Sequence, residues 1–412
     1  MSYSSRPGRS FAPRNSKPAY GRSGGGGGGG NRRRSSYKKS TKQIHSSKFI
    51  RVATDIKEHV IVAEHKFSDF DLHPTVAKNL AAKGYEQPTP IQDQAVPAGL
   101  RGEDILGIAG TGTGKTAAFG LPIINALLTN PGSCALIVAP TRELAEQIEA
   151  ELGQLAKSSG IRGALLIGGT NIGRQIRELG VKPQLVVGTP GRILDHVKRG
   201  TLKLNRCNLI ALDEVDRMLD MGFIDDVTEI VTGCAPERQS FFFSATMDSK
   251  VTSLLERFSA DTTVIALQTS SSPSERVHQD VVRFHKHSDK LDKLHEVLLA
   301  QGVTKAIIFD ETQRDVEALH EALRTRGFST GSIHGGKSQS QRQRTLAQFK
   351  QNNLDILVAT DVAARGIDVD NVSHVINYTA PSEYEDYIHR IGRAGRAGKT
   401  GYALTFINES AY

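Results

Sequence analysis

Short apolar runs recur along the chain, each followed by a polar cluster and then by apolar residues at helical spacing. The run Ile105 to Ile108 ends in a loop with glycines at 110, 112 and 114, after which Ala117, Phe119, Leu121, Ile124 and Leu127 fall at helical intervals. Ala135 to Ala139, Leu185 to Val187, Leu209 to Leu212 and Phe241 to Phe243 are further runs of the kind buried on both faces of a parallel sheet. A polar stretch, Thr269 to Arg276, has the composition of a flexible connector. Beyond it the alternation restarts. Ala306 to Phe309, Ile356 to Ala359, Val375 to Tyr378 and Tyr402 to Phe406 read as strands, and Val316, Leu319 and Leu323 share one helix face. The pattern predicts an α/β fold with two tandem parallel-sheet domains, 67–268 and 277–412, joined by 269–276. Order is expected to begin near Phe67, and the stretch Gly84 to Gln92, GYEQPTPIQ, reads as a rigid turn because its two prolines disfavour a helix interior.

Composition adds a third segment. Of the 52 Lys and Arg residues, 13 lie in residues 1–51, where there is no acid, leaving 39 bases against 44 acids in the rest. The net charge of +8 therefore belongs to a segment that also holds the glycine run Gly24 to Gly30 and the triplet Arg32, Arg33, Arg34. Such a sequence buries too little apolar surface to offset chain entropy, so residues 1–66 are expected to be a disordered basic tail rich in Gly, Arg and Ser. Its Tyr3, Phe11, Tyr20 and Tyr37 suit stacking on exposed bases while arginines meet phosphates, and a solubilising spacer is the other reading. No apolar run approaches the roughly 18 residues of a membrane span, and no secretory signal opens the chain, so a cytoplasmic location is expected. Cys134, Cys207 and Cys234 are odd in number and lack Cys-x-x-Cys spacing, which predicts reduced thiols with neither a disulfide framework nor a zinc site.

The chemistry concentrates at the ends of the apolar runs. Ala109 to Thr116, AGTGTGKT, is a relaxed phosphate loop, with Ala109 where the strict pattern has glycine. Amides of Gly110, Thr111, Gly112, Thr113 and Gly114 turn inward around a polyphosphate, Lys115 adds a point charge, and the Thr116 hydroxyl reaches a magnesium ion. Asp213 ends another run where a carboxylate holds magnesium directly or through water, and Glu214 is placed to orient or deprotonate an attacking water. The second domain has no lysine-bearing loop, so it is expected to complete a shared site.

The GYEQPTPIQ segment resembles the adenine-recognition motif of DEAD-box RNA helicases. The resemblance extends through PTREL at Pro140 to Leu144, TPGR at Thr189 to Arg192, DEVD at Asp213 to Asp216 and SAT at Ser244 to Thr246. It continues through TDVAARGID at Thr360 to Asp368 and HRIGRAGR at His389 to Arg396. It implies two RecA-like domains and an ATPase using ATP and Mg2+ at their interface. Gln92 then reads the adenine edge, with Tyr85 or Phe67 packing near the ring. Asp368 binds the ribose, and Arg393 and Arg396 act as arginine fingers. The resemblance assigns first-domain RNA contacts to Thr141, Arg142, Gly168, Gly169, Thr189 and Arg192. In the second domain it assigns RNA or interlobe contacts to Thr312, His334, Gly335, Gln339, Arg342 and Thr360. Asp216, Ser244, Thr246, Gln339 and His389 become the groups that couple the nucleotide site to RNA.

Two positions depart from the family pattern. Val215 stands where the family has alanine in DEAD, and Ala394 where it has threonine between the arginines. Overpacking by the valine methyls is expected to cost roughly 1 to 3 kcal/mol in an unadjusted pocket. Loss of the hydroxyl at 394 is expected to weaken coupling modestly. The implied function is an ATP-dependent RNA helicase with a monomeric core that binds single-stranded RNA or a short duplex and separates strands locally. The alternative is an ATP-gated RNA clamp or annealing scaffold built from the same motifs.

Overall fold

The computed structural model describes residues 44–53, 63–110, 112–247, 249–259, 261–267, 277–364, 369, 371–395 and 400–409. The expectations for the basic tail through residue 43, the connector 269–276, Thr111, Asp368 and Arg396 lie outside the described residues.

The first lobe is a seven-stranded sheet of β1 (Asp104–Ile108), β2 (Ala135–Val138), β3 (Gly163–Leu166), β4 (Leu185–Gly188), β5 (Leu209–Leu212), β6 (Gln239–Ser244) and β7 (Thr262–Ala266). Its order is β3-β4-β2-β5-β6-β1-β7, and every pairing is parallel. Phe241, Phe242 and Phe243 show why the sheet has two covered faces. Successive side chains on a strand point to opposite sides, so Phe241 and Phe243 pack with Phe119 and Ile148 while Phe242 packs with Met218 and Ile230. The order sets β5, β6 and β1 side by side, so the residues after their carboxyl ends share one edge of the sheet, where ligands of open α/β sheets gather. Ala109 N–H donates to the Ser244 carbonyl at 3.0 Å, which ties two of these ends together.

The second lobe contains β8 (Val277–Phe284), β9 (Ala306–Phe309), β10 (Thr330–Ile333), β11 (Ile356–Ala359), β12 (His374–Asn377) and β13 (Gly401–Asn408), in the parallel order β10-β11-β9-β12-β13-β8. Strand β13 runs beyond the predicted Tyr402 to Phe406 because it pairs with β8 over eight residues.

Three local expectations are corrected. Order begins upstream of Phe67: Ser46–Phe49 form a 3-10 turn, Phe49 is 1% exposed in the second-lobe core, and Arg51 pairs with Gln279 of β8. Within GYEQPTPIQ, the turn ends at Thr89 and a helix runs Pro90–Leu100. Proline is well suited to the first helical position, where no intrahelical N–H bond is lost, and Gln92 closes a capping box with Thr89. Strands β3, β7, β8 and β10 are missing from the predicted set, although Ala164 to Ile167 and Val264 to Leu267 are apolar runs at β3 and β7. Strand β10 reads Thr-Gly-Ser-Ile, and β7, an edge strand, leaves Val264 59% exposed.

Cys134, Cys207 and Cys234 are buried free thiols, and Cys134 Sγ lies 3.6 Å from Cys207 Sγ. Among the described residues, no helix is long and apolar enough to cross a membrane.

Candidate functional site

Strand β1 delivers the chain into the glycine loop, and the helix Lys115–Thr129 leaves it. Gly112 and Gly114 take φ of +80° and +89°, left-handed values that a side chain resists. At Gly114 there is a second constraint, because an added Cβ would collide with Gln92 Nε2. The loop is braced by the Thr113 hydroxyl, which donates to the Gly110 carbonyl at 2.9 Å. Lys115 is 6% exposed, and its Nζ has no hydrogen-bond partner among the described residues while lying 3.9 Å from Asp213 Oδ1. Thr116 is half-buried beside it in the first helical turn. A buried ammonium held over a ring of turned backbone and facing a carboxylate fits a polyphosphate with a bridging divalent cation.

The acids follow β5. Burial lifts the Asp213 carboxyl to about 6, Lys115 pulls against the rise, and Glu214 adds to it. Glu214 N–H donates to Asp213 Oδ1 at 3.0 Å, and the Glu214 backbone is left-handed, with φ +54° and ψ +55°. That conformation is uncommon for a residue with a side chain and is typical of strained functional turns. Arg217 Nη1 donates to Glu214 Oε2 and fixes the carboxylate. Asp216 turns the other way. Its Oδ2 accepts from Ala245 N–H at 3.0 Å, Thr246 N–H at 2.9 Å and the Thr246 hydroxyl at 3.1 Å. Its own N–H donates to the Ser244 hydroxyl at 3.4 Å. DEVD and SAT are thus one hydrogen-bonded unit.

On the loop's other flank, Phe67 and Tyr85 stack with ring centroids 6.3 Å apart, Phe67 buried and Tyr85 exposed. Gln92 is 5% exposed; its Oε1 accepts from Thr89 N–H and its Nε2 donates to the Gly114 carbonyl, both at 2.9 Å. The amide therefore joins the aromatic turn to the phosphate loop, with one N–H still to give.

Among the proposed RNA-facing groups of the first lobe, Thr141 caps the helix Arg142–Leu155, accepting from Leu144 N–H at 3.3 Å. The Arg142 guanidinium lies against Gly168 and Gly169, where any side chain would displace it. Thr189 precedes the helix Pro190–Lys198, which carries Arg192. Arg192 Nη1 donates to Gln175 Oε1 at 3.0 Å, and Gln175 Nε2 donates to the Ile167 carbonyl at 2.9 Å and to the Thr170 hydroxyl at 2.6 Å. Buried His196 also meets Gln175 Oε1, at 2.9 Å. Gln175 thus holds the glycine turn and Arg192 in register, a role sequence reasoning missed. The available signal was a glutamine on the inward face of an otherwise apolar helix seam.

In the second lobe, Thr312 caps the helix Gln313–Thr325. His334 Nε2 meets Glu317 at 2.7 Å beside exposed Gly335, and Thr360 is buried at the end of β11. Arg342 reaches the first lobe. It is buried, and its Nη2 lies 2.8 Å from Glu143 Oε1 of the first lobe. Gln339 Nε2 donates to Glu143 and Glu146, both at 3.2 Å, and Gln343 Nε2 donates to Glu146 at 2.5 Å. These contacts join the lobes. His389 is half-buried on the helix Tyr384–Ile391, and Arg393 is buried just past it.

Residues 89–254 match the DEAD/DEAH box helicase family, and residues 289–398 match the helicase conserved C-terminal domain. Over 343 residues the chain is 46% identical to the ATP-dependent RNA helicase CshA of Listeria monocytogenes, spanning 83% of this chain and 66% of that protein. It is 43% identical over 342 residues to the DEAD-box ATP-dependent RNA helicase CshA of Bacillus subtilis, spanning 83% and 69%. The chain belongs to the DEAD-box helicase family. Solved structures agree: Saccharomyces cerevisiae Dbp5 bound to RNA and ADP BeF3 gives a TM-score of 0.73 at 29% identity, covering 83% of this chain and 89% of that one. The DEAD-box helicase Mss116 bound to ssRNA and UDP-BeF gives 0.74 at 30% identity, covering 83% and 74%. The two sheets are the family's RecA-like domains.

Within this DEAD-box fold the two departures have structural settings. Val215 is fully buried and packs with Leu212, Phe242 and Val251, so its methyls enter the lobe core. Ala394 is 1% exposed and so close to Gly401 that a Cβ there would sit 2.6 Å from its own. The same segment reveals a second missed residue. Arg390 grips Asp361 with Nε and Nη2, each at 2.6 Å, and its Nη1 donates to Asn377 at 3.1 Å and to the Thr379 carbonyl at 2.8 Å. It locks the TDVAARGID and HRIGRAGR motifs together.

Proposed function

We propose that this chain is an RNA-dependent ATPase that closes two lobes on one RNA strand and so separates a short duplex locally. The observation that carries the proposal is Lys115, whose buried ammonium makes no hydrogen bond among the described residues and lies 3.9 Å from Asp213 at the glycine loop. A buried ammonium is costly until its N–H donors meet acceptors, and the oxygens of a triphosphate are acceptors the loop fits.

Gly110 to Gly114 and Lys115 bind the phosphates, Gln92 reads the adenine edge with its remaining N–H, and Phe67 and Tyr85 pack near the ring. Thr116 and Asp213 are the groups that hold Mg2+, which when bound neutralises charge on the phosphate oxygens. Glu214, held by Arg217, orients or deprotonates the attacking water. From the second lobe, Arg393 and Arg396 meet the transferring phosphoryl group and Asp368 meets the ribose. Guanidinium suits that task because it stays ionised and forks onto oxygens; such a finger is worth roughly 10³ to 10⁵ in rate.

Arg142, Gly169, Thr189, Arg192, Thr312, Gly335 and Thr360 take the sugar-phosphate backbone, and Thr141 shapes that surface by capping its helix. Contacts of this kind position RNA without reading its sequence. Asp216, Ser244, Thr246 and His389 couple the two ligands. The protein acts in the cytoplasm with a monomeric core, and the names of its relatives favour strand separation over the clamp reading.

The test is phosphate release and strand displacement by the full chain on a short RNA duplex. RNA-stimulated hydrolysis with displacement is expected, and Lys115→Ala and Glu214→Gln abolish both. Hydrolysis without displacement would make the protein a clamp.

A further inference from the structure

Residues Ile44–Ala53 belong to neither helicase match, yet they are packed into the second lobe. Phe49 is 1% exposed and meets the Tyr387 ring edge-on, with centroids 4.8 Å apart. Lys48 Nζ stands 5.3 Å over the Tyr384 ring. Arg51 and Gln279 exchange both main-chain hydrogen bonds, at 2.9 and 2.8 Å, against the edge strand β8. Ala53 N–H then donates to His278 Nδ1 at 3.2 Å. A single aromatic anchor with a two-bond strand pairing is a specific dock, since an unpaired edge and an apolar ring are both satisfied.

What the segment touches gives it consequence. Tyr384 and Tyr387 lie on the helix Tyr384–Ile391, and the Tyr387 hydroxyl donates to Gln279 at 3.0 Å. Gln279 is thus held by Arg51 through its backbone and by Tyr387 through its side chain. Two residues beyond the helix comes Arg393, and Phe49, Tyr387, Ile391 and Ala394 share one core. The helix is held at Arg390 by Asp361 and, three residues earlier, at Tyr387 by Phe49.

We propose that Ile44–Ala53 is a strap that sets the angle of the arginine-bearing helix, with Phe49 as a positioning residue for Arg393. This rests on the reading above that Arg393 acts on the transferring phosphoryl group. A misplacement of about 1 Å at such a group is enough to cost on the order of 10²-fold in rate, so a strap distant from the nucleotide can govern turnover.

The experiment measures kcat and KM for ATP in RNA-stimulated phosphate release by the full chain, with thermal unfolding as a check on folding. Phe49→Ala is expected to lower kcat about tenfold while KM stays within about twofold, and Phe49→Leu to recover most of the loss. Because the strap acts through Arg393, adding Phe49→Ala to Arg393→Ala should lower kcat no further. Should Phe49→Ala fail to fold, Tyr387→Phe removes only the hydroxyl bond to Gln279 and is expected to lower kcat about two- to threefold, again without effect beside Arg393→Ala. A folded Phe49→Ala chain with normal kcat, or losses that multiply with Arg393→Ala, would overturn the strap. Undiminished turnover in Arg393→Ala alone would instead overturn the underlying reading of the arginine, and the strap's role with it.

Discussion

Glu214 occupies a left-handed backbone position between Asp213 and Asp216, and the three acids and the valine of DEVD each meet a different partner. Asp213 faces Lys115, Glu214 is held by Arg217, Val215 enters the core, and Asp216 binds the SAT turn. Replacing Glu214 with glutamine keeps size and an oxygen for Arg217 but removes the carboxylate proposed to act on the attacking water. Equilibrium binding of ATP should stay within about threefold while single-turnover hydrolysis falls at least about 100-fold. The buried Asp213 gives a pH signature. With its carboxyl lifted to about 6, the group is protonated below that pH, and the ionised form is the one proposed to hold the cation. Affinity for ATP with Mg2+ should therefore rise with pH up to about 6 and flatten above it. The check is titration of a fluorescent ATP analogue across pH 5 to 8, and Asp213→Asn should remove the dependence.

At the scale of elements, the phosphate loop depends on a backbone that only glycine tolerates. Gly114→Ala must place a side chain at φ +89° and into Gln92 Nε2, so ATP affinity should drop by more than about tenfold, read by the same titration. In the second lobe, Asp361→Asn leaves Arg390 buried without its paired charge, a loss of about 3 to 5 kcal/mol measurable by denaturant unfolding. These elements divide by how far their partners lie along the chain. The glycine loop, the acids and the SAT turn were legible because each stands at the end of an apolar run, and parallel-sheet topology gathers such ends. Strands β3 and β7 carry apolar runs, Ala164 to Ile167 and Val264 to Leu267, that the reading passed over, whereas β8 and β10 were not legible, since their burial is set by neighbours distant in sequence. Gln175 and Arg390 escaped for the same reason, as a polar side chain declares its role only when its acceptors fold around it. Phe49 was hidden inside a basic segment whose composition spoke for disorder.

For the whole molecule, the lobes meet through Glu143 and Glu146 on one side and Gln339, Arg342 and Gln343 on the other. Arg342→Ala leaves the buried Glu143 carboxylate with Gln339 but without its cross-lobe counter-charge, so the lobes should spend more time apart. A fluorophore pair with one dye on each lobe should report lower transfer efficiency in the RNA-free variant than in the parent. The basic residues before Ile44 belong to this scale too. Their removal should weaken RNA binding chiefly at low salt, with each lost phosphate contact flattening the log-log salt slope by about 0.7 on single strands. An unchanged slope would make them a spacer. With nucleotide and RNA each proposed to draw on both lobes, their binding is then linked by one reciprocal factor. The decisive measurement is the affinity of a non-hydrolysable ATP analogue with and without saturating single-stranded RNA, and of RNA with and without the analogue. Both affinities should rise by the same factor, about fivefold or more, and Lys115→Ala should erase the effect. Affinities for either ligand that are indifferent to the other would contradict the account.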